Sequence, residues 1–319
     1  MSYSDPMKPK AENPESLTDE TRAAIFAKHR ARIFGIAYRL VGTVSDAEDI
    51  VQETWLRWAG APLDDVRSPE AWLVTTAGRL GIDQLRRLKR RRETYIGPWL
   101  PEPIVEAAGR APEMTPEERL SLGDDVSMAL LHMLERLAPE ERAAFLLHEV
   151  FDYDYADLAA LLGKSQAACR QIVSRARRRV RDDRPRFNAS AADHARLASA
   201  FANALTAEDP ASLIACLHDK AILYSDGGGR AAAALNPIYG ADRILRFLIG
   251  IRKKVPQLNE TEPVLINGRP GFVLLIDGKL HSAVSFDVEE GRINAVYMMR
   301  NPDKLRAAAE SLGRPLLGA

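Results

Sequence analysis

Only two cysteines occur in 319 residues, Cys169 and Cys216. They fall in segments of different character, which argues against a structural disulfide, and no Cys/His spacing suits zinc. No apolar run approaches the length of a membrane span. The N-terminus, MSYSDPMKPKAENPES, is polar and Pro-containing; it does not read as a signal peptide, and residues 1–16 are expected to be disordered. Neither charge is in excess, because 44 basic residues meet 44 acidic ones. Any nucleic-acid surface must therefore come from local clustering. These absences point to a soluble cytoplasmic protein without cofactor or metal, and the length allows two or three domains.

What is present begins with Asp46–Trp58, DAEDIVQETWLRW. Ala47, Ile50, Val51, Thr54, Trp55 and Trp58 recur at spacings of three and four, one buried stripe of a helix. Ser45 and Glu48 have the spacing of a capping box at its start. The opposite face carries Asp46, Glu48, Asp49, Gln52, Glu53 and Arg57. An acidic face is most often simply solvated; the strongly basic helices further along this chain favour a docking role instead. An earlier helix has Ile25, His29, Ile33, Ile36, Ala37 and Leu40 on one stripe and stops at Gly42. A third opens at Ser68-Pro69, an N-cap and first-turn pair, with Trp72, Leu73, Thr76, Ala77, Leu80 and Leu85 facing inward. Six of the seven residues from Arg86 to Arg92 are cationic. That exceeds what a helix C-terminus needs and suggests phosphate contact.

Residues 93–125 change character, with Pro98, Pro101, Pro103, Pro112 and Pro116 among Glu102, Glu106, Glu113, Glu117 and Glu118. This is a linker, partly extended. Tyr95, Trp99 and Leu100 are apolar in an otherwise polar stretch and need something to dock on. Helical period returns over residues 126–187. Pro139 opens one helix, Tyr155–Leu162 forms a second ending at Gly163, and Ser165 caps a third that runs to Arg181. Helix, short glycine turn, helix is the helix-turn-helix pattern. Leu158, Ala159 and Leu162 would pack on Cys169, Ile172 and Val173, which makes Cys169 a small core residue. The outer face shows Gln166, Ala167, Arg170, Gln171, Ser174, Arg175, Arg177 and Arg178; Arg and Gln can read guanine and adenine edges.

Beyond residue 189 two helical stretches precede the strand-like AILYSD and the glycine run DGGGR. A helix over Ala241–Lys254 and four strand-like segments follow, divided by Asn267-Gly268, Asp277-Gly278 and Glu290-Gly291 as hairpin turns. This is an α+β pattern, one curved antiparallel sheet wrapped on helices.

DAEDIVQETWLRW, SPEAWLVTTAGRLGIDQLRRLKRRR and YADLAALLGKSQAACRQIVSRARRRVR together resemble regions 2 and 4 of extracytoplasmic-function (ECF) sigma factors. ETYIGPWLPEP, DGGGR, NGRPG (Asn267–Gly271) and NPDKL (Asn301–Leu305) resemble the sigma-J-type subgroup with a C-terminal SnoaL-like extension. The resemblance implies two all-α sigma domains, a region 2 bundle (17–92) and a region 4 helix-turn-helix (126–187), plus a SnoaL/ketosteroid-isomerase-like cone (189–305) and a tail (306–319). It implies that Asp46, Glu48, Asp49, Gln52, Glu53 and Arg57 dock on the β′ clamp helices of core RNA polymerase, whose β flap is a further contact. Trp72, Arg79, Asp83, Arg86, Arg87, Lys89 and Arg90 would engage the −10 element; Arg79 stands where many members have asparagine. Ser165, Gln166, Ala167, Arg170, Gln171, Ser174, Arg175, Arg177 and Arg178 would face the −35 element. The acidic linker would thread towards the polymerase active site. The cone would regulate the sigma domains in cis, in place of an anti-sigma protein, through Tyr95, Trp99, Leu100, Pro101, Glu102, Pro103, Asn267, Gly268 and Gly271. The free chain is expected to be a monomer.

The cone offers Tyr224, Asp226, Arg230, Tyr239, His281 and Tyr297 as pocket groups. Fold alone does not decide chemistry. Asp226 beside three glycines reads as a turn residue and His281 as a surface strand position, so the chain is read as a non-enzyme. Two rivals stand beside this reading: a helix-turn-helix regulator with an effector-binding cone, and a SnoaL-type cyclase or isomerase.

Overall fold

The computed structural model describes residues 19–62, 66, 68–108, 127–181, 190–258 and 260–317. The expected disordered N-terminus and the acidic stretch with Glu113, Glu117 and Glu118 lie outside the described residues.

Three helices form the first unit: α1 (Asp19–Val41), α2 (Val44–Ala59) and α3 (Pro69–Arg92). Ala47, Ile50, Val51, Thr54 and Trp58 of α2 are buried, as the stripe requires. The start of α2 differs from expectation. Thr43, extended at φ −132° and ψ 145°, is the N-cap, which puts Ser45 inside the first turn. The Val44 amide is capped from outside the helix, by Glu102 Oε2 at 2.8 Å. Ser68 does cap α3, accepting from the Ala71 amide at 3.3 Å.

The second helical unit is α4 (Met128–Leu134), α5 (Pro139–Glu149), α6 (Tyr155–Leu162) and α7 (Gln166–Arg181). Asp154 caps α6 through the Ala156 and Asp157 amides, both at 2.8 Å. Gly163 takes the left-handed conformation (φ 63°) that turns the chain. Ser165 then accepts from the Ala168 amide at 3.2 Å and starts α7. Cys169, Ile172 and Val173 face the core, so Cys169 is a buried free thiol. Both helical units share one apolar core.

The last unit contains α8 (Ala191–Thr206), α9 (Pro210–Cys216), β2 (Leu217–Asp226), β3 (Ile238–Tyr239), α10 (Ala241–Lys254), β4 (Glu260–Ile266), β5 (Arg269–Ile276), β6 (Lys279–Glu289), β7 (Arg292–Met299) and α11 (Pro302–Leu312). With β1 (Val105–Ala107) at one edge, its sheet runs β1-β4-β5-β6-β7-β2-β3 and is antiparallel except between β2 and β7. Asn267, Asp277 and Glu290 all have φ between 50° and 54°, each followed by a glycine at positive φ, so the three hairpins turn as the dipeptides predict. Strand β1 (Val105–Ala107) comes from the linker and pairs antiparallel with β4. One sheet face packs on α8 to α10 through Phe272, Leu274 and Phe286. The other face buries Val273, Leu275 and Tyr297 against linker Leu100 and Val105, Met128 of α4, and Leu305 and Ala308 of α11. Residues 306–312 are therefore not a tail: they complete a helix whose apolar stripe covers the sheet.

Candidate functional site

On α2, Gln52 and Asp49 are exposed and Glu53 pairs with Arg57 at 2.9 Å along the outer face. Glu48 meets Arg30 of α1 at 2.7 Å with both side chains open to solvent. Asp46 is different. It accepts from Gln84 of α3 at 2.7 Å and from the Thr43 hydroxyl, so it ties helices together instead of facing outward. Leu56, 58% exposed, sits on the same face as Gln52 and Arg57 and was not among the expected residues. A lone exposed leucine is ordinary, but Leu56 borders a groove shared with Arg57, Pro62, Val66 and Trp72.

The cationic half of α3 lies against the helix-turn-helix. Gly78 makes this approach possible: a Cβ there would come within 2.6 Å of the Leu161 side chain. The next residue, Arg79, donates from Nη2 to the Ala160 carbonyl (2.6 Å) and from Nε to the Leu161 carbonyl (3.3 Å). These carbonyls end α6, where the helix dipole is negative and a guanidinium fits. Arg86 bridges Asp83 and Glu140 of α5, both at 2.9 Å. A groove of about 600 Å³ runs between the two units, with Arg86, Lys89 and Arg90 on one wall and Lys164, Gln171 and Arg175 on the other. Arg87 is exposed and Trp72 half-buried against Trp58 at 5.4 Å. Gln166, Ala167, Arg170, Gln171, Ser174, Arg175, Arg177 and Arg178 are all exposed on α7. Arg177 pairs with Glu149 at 2.6 Å, whereas Arg170 lies over the Tyr155 ring at 5.2 Å.

The linker occupies the space among all three units. Tyr95 Oη donates to Asp226 Oδ1 (2.6 Å), and the Leu100 amide donates to Asp226 Oδ2 (2.8 Å). Lys304 Nζ donates to that same carboxylate (2.8 Å) and to the Leu100 carbonyl (2.5 Å). Asn301 Nδ2 donates to Tyr95 Oη at 2.9 Å. Asp226 is fully buried, so it is not the turn residue expected from its glycine neighbours. Burial lowers the Lys304 amine to about 8, with Asp226 opposing that fall. Burial, then Asp226, raises the Tyr95 phenol, which stays a donor. The glycines serve approach: a Cβ on Gly228 (φ 58°) would meet Tyr95 Oη at 2.9 Å, and one on Gly229 (φ 72°) would meet Ile96 at 2.8 Å.

Trp99 caps the first unit, its ring 2.7 Å from where a Gly42 Cβ would stand. Arg92 stacks on that ring at 3.5 Å and Lys304 at 4.0 Å. Glu135 joins Arg92 of α3 to Arg142 of α5, whose Nε also donates to the Arg39 carbonyl at 2.9 Å. Beyond Trp99, Pro101, Glu102 and Pro103 are buried. Asn267 Nδ2 donates to Tyr38 Oη (2.8 Å), which donates to the Glu102 carbonyl (2.7 Å). Asn267 Oδ1 accepts from the Ile104 amide at 3.0 Å, and the Asn267 amide donates back to the Ile104 carbonyl at 2.8 Å. Ser311 Oγ donates to the Val105 carbonyl at 2.8 Å. Of Asn267, Gly268 and Gly271, Asn267 reaches the described part of the linker. Gly268 completes the hairpin in open space, and Gly271 lies inside the sheet against the Val284 carbonyl. Tyr38, Asn301, Lys304 and Ser311 were not anticipated. NPDKL carried a signal for two of them; Tyr38 and Ser311 are ordinary helix residues with no local signal.

The other cone groups do not converge. Arg230 makes a surface pair with Asp303 at 3.1 Å and Tyr239 is exposed. Tyr224 and Tyr297 stack at 5.6 Å, and His132 of α4 wedges against them at 4.4 and 5.7 Å. Burial lowers His132 to about 4. His281 is buried, correcting the surface placement, and burial followed by Arg300 lowers it to about 4. The void beside it is about 10 Å³, roughly one water. Among the described residues no group of three His, Cys, Asp or Glu could hold a metal, and no helix is long and apolar enough to cross a membrane.

Known proteins give these surfaces a family. Residues 25–91 match the family model of Sigma-70 region 2 and residues 127–180 that of Sigma-70, region 4. The chain is 37% identical over 290 residues, 88% of its length and 91% of the relative's, to the ECF RNA polymerase sigma factor SigJ of Mycobacterium tuberculosis. It is 29% identical over 294 residues to the probable ECF RNA polymerase sigma factor SigI of the same organism, covering 91% of this chain and 97% of that one. The crystal structure of M. tuberculosis SigJ superposes with a TM-score of 0.72 at 32% identity, across 89% of this chain and 98% of the other. The acidic helix, the arginine-rich helix, the helix-turn-helix and the cone thus belong to one plan: the chain is a member of the ECF family of RNA polymerase sigma factors, of the sigma-J type with a SnoaL-like C-terminal domain, and directs promoter-specific transcription initiation.

Proposed function

We propose that the free chain is a closed, initiation-incompetent monomer, held shut in cis by its own cone and linker. Residues 17–92 serve as region 2, 126–187 as region 4, and 189–312 as the regulatory domain. The observation that carries this reading is the seating of Arg79 on the Ala160 and Leu161 carbonyls. It fastens the −10 helix to the helix before the −35 reader. Elements named −10 and −35 lie about 25 base pairs apart, or roughly 85 Å of duplex at 3.4 Å per step. Two helices that wall one groove cannot occupy both. Opening must part α3 from α6, and the linker resists because it is anchored to α1, α4 and the cone at once.

In the open form, Glu48, Asp49, Gln52, Glu53, Leu56 and Arg57 dock on the β′ clamp helices, while region 4 meets the β flap. Asp46 acts from within, by fixing α2 on α3. Arg86, Arg87, Lys89 and Arg90 neutralise phosphates near the −10 element, where Trp72, Arg79 and Asp83 engage the opened strand. Arg170, Gln171, Ser174 and Arg175 face base edges of the −35 element, with Ser165, Gln166, Ala167, Arg177 and Arg178 along the backbone. The cone performs no catalysis. An acid–base site needs a free carboxylate opposite a donor in an open pocket, whereas Asp226 is committed to Lys304, Tyr95 and Leu100.

Single-round transcription with core polymerase on the cognate promoter tests this reading. Asn267→Gly keeps the turn that φ 54° demands but removes the side-chain bonds to Ile104 of the linker strap and to Tyr38 of α1, so it should yield more transcript than the parent chain. Equal or lower output from Asn267→Gly and from Tyr95→Phe would overturn the inhibitory role.

A further inference from the structure

The linker is held as a bound peptide is held, and this has a consequence for the open state. It adds a strand to the edge of β4, pairing Val105 with Ile266 and Ala107 with Val264. Leu100 is buried on the sheet face. Its amide and carbonyl are both read, by Asp226 and Lys304. Backbone pairing along an edge, with separate seats for alternate side chains, is the pattern by which sheets capture extended peptides. Gly228 and Gly229 leave room for the Tyr95 hydroxyl and the Ile96 side chain, where a Cβ would meet them at 2.9 and 2.8 Å.

When the strap leaves, Asp226 loses two donors and the β4 edge loses its partner. Buried polar groups left without partners are costly, and an uncovered edge invites another strand. The groove therefore has chemistry for a second occupant of the same kind. We propose that the cone is a peptide-recognition module, and that an extended segment supplied by another protein can take the linker's seat and hold the sigma factor open. Its partner is defined by the seat: a tyrosine four residues before a tryptophan, then leucine, a Pro-x-Pro step and a β-branched strand. This rests on the cis-inhibited reading above and names the partner of that same site.

A tethered ligand competes at an effective concentration on the order of 1 mM, so the peptide must be offered to a chain whose own linker is weakened. The probe is a labelled synthetic peptide of residues 93–108. The receptors are the full-length parent, Tyr95→Phe, and the double variant Tyr95→Phe, Trp99→Ala, with hydrogen exchange at linker amides read in parallel. Anisotropy should show affinity at least about tenfold higher for the linker variants than for the parent, since local opening relieves the competition. Adding Asn267→Gly to the receptor, or replacing tyrosine and tryptophan in the peptide, should abolish it. Exposed linker amides without peptide binding up to about 1 mM would overturn the inference while leaving the latch intact. Linker amides that stay protected in both variants would sink the latch, and the inference with it.

Discussion

Tyr95→Phe removes one hydroxyl and its two bonds from the linker's seat without changing the seat's shape. The hydroxyl donates to a fully buried carboxylate at 2.6 Å and accepts from Asn301 at 2.9 Å. A hydrogen bond to a charged group contributes about 1.5–3 kcal/mol, and an orphaned buried acceptor pushes towards the upper end. Tyr95 is itself half-buried, so water can replace part of what is lost. Lys304 and the Leu100 amide remain on Asp226, which limits the penalty further. A cost of about 1.5–2 kcal/mol is reasonable, equivalent to roughly 10- to 30-fold in the opening equilibrium. Amide exchange reads that equilibrium directly when opening is local. The Leu100 amide, bonded to Asp226 Oδ2, should therefore exchange roughly 10- to 30-fold faster in the variant. Buried amides in the centre of β6 and of α2 must keep their parent rates, because acceleration there would signal unfolding of the cone or of the bundle. Leu100 exchange within about twofold of the parent would refute the claim that this phenol holds the strap.

Gly78→Ala should hold region 2 together while driving it from region 4, since the new methyl would stand 2.6 Å from Leu161; overpacking of this kind costs about 1–3 kcal/mol. A spin-label distance between α2 and α7 that does not lengthen would contradict this. Arg170→Ala should relax preference at one −35 position by about 1–3 kcal/mol, and Arg90→Ala should weaken all promoters alike and lower the salt slope by about 0.9; uniform loss for Arg170→Ala would reject base reading. Acid should loosen the closed form. Burial keeps His132 neutral to about pH 4, so an undocked ring with its ordinary value of about 6.5 takes up a proton that the docked one cannot. Stability is complete above pH 6.5 and falls as pH drops towards 4, by at most about 3 kcal/mol. His132→Gln should flatten that part of the melting-temperature profile, while the His281 contribution, from within the cone, remains.

Periodicity made most helices legible because each buries one stripe and exposes the other. The hairpins were legible because three Asx/Glu-Gly pairs occupy positive φ, which few residues other than glycine and asparagine accept. The errors share a different cause. The Ser45/Glu48 box satisfies a local spacing rule, yet the N-cap is Thr43 and the first amide of α2, that of Val44, is satisfied by Glu102, 58 residues away. Strands β5 and β6 are buried on both faces, and their second cover comes from α11 together with the linker and α4, the last two outside the C-terminal unit. A strand's own pattern records that both faces are dry but not what dries them. Residues 306–312 read as a tail for the same reason: their stripe does not itself name the sheet face it covers.

Asp226 is the sharpest case. An acid before three glycines satisfies every local criterion for a turn, and its partner Tyr95 lies 131 residues upstream. The discriminating signal was in the linker, where Tyr95, Trp99 and Leu100 sit in a stretch too polar and proline-rich to bury them itself. Such a segment implies a receptor, and a receptor that admits the Tyr95 hydroxyl and Ile96 this closely needs positions without side chains beside a polar anchor. DGGGR offers both, so the glycine run and the aromatic linker describe one contact from its two sides. Neither side identifies the contact alone, because turn chemistry and docking chemistry draw on the same residues until the partner is known.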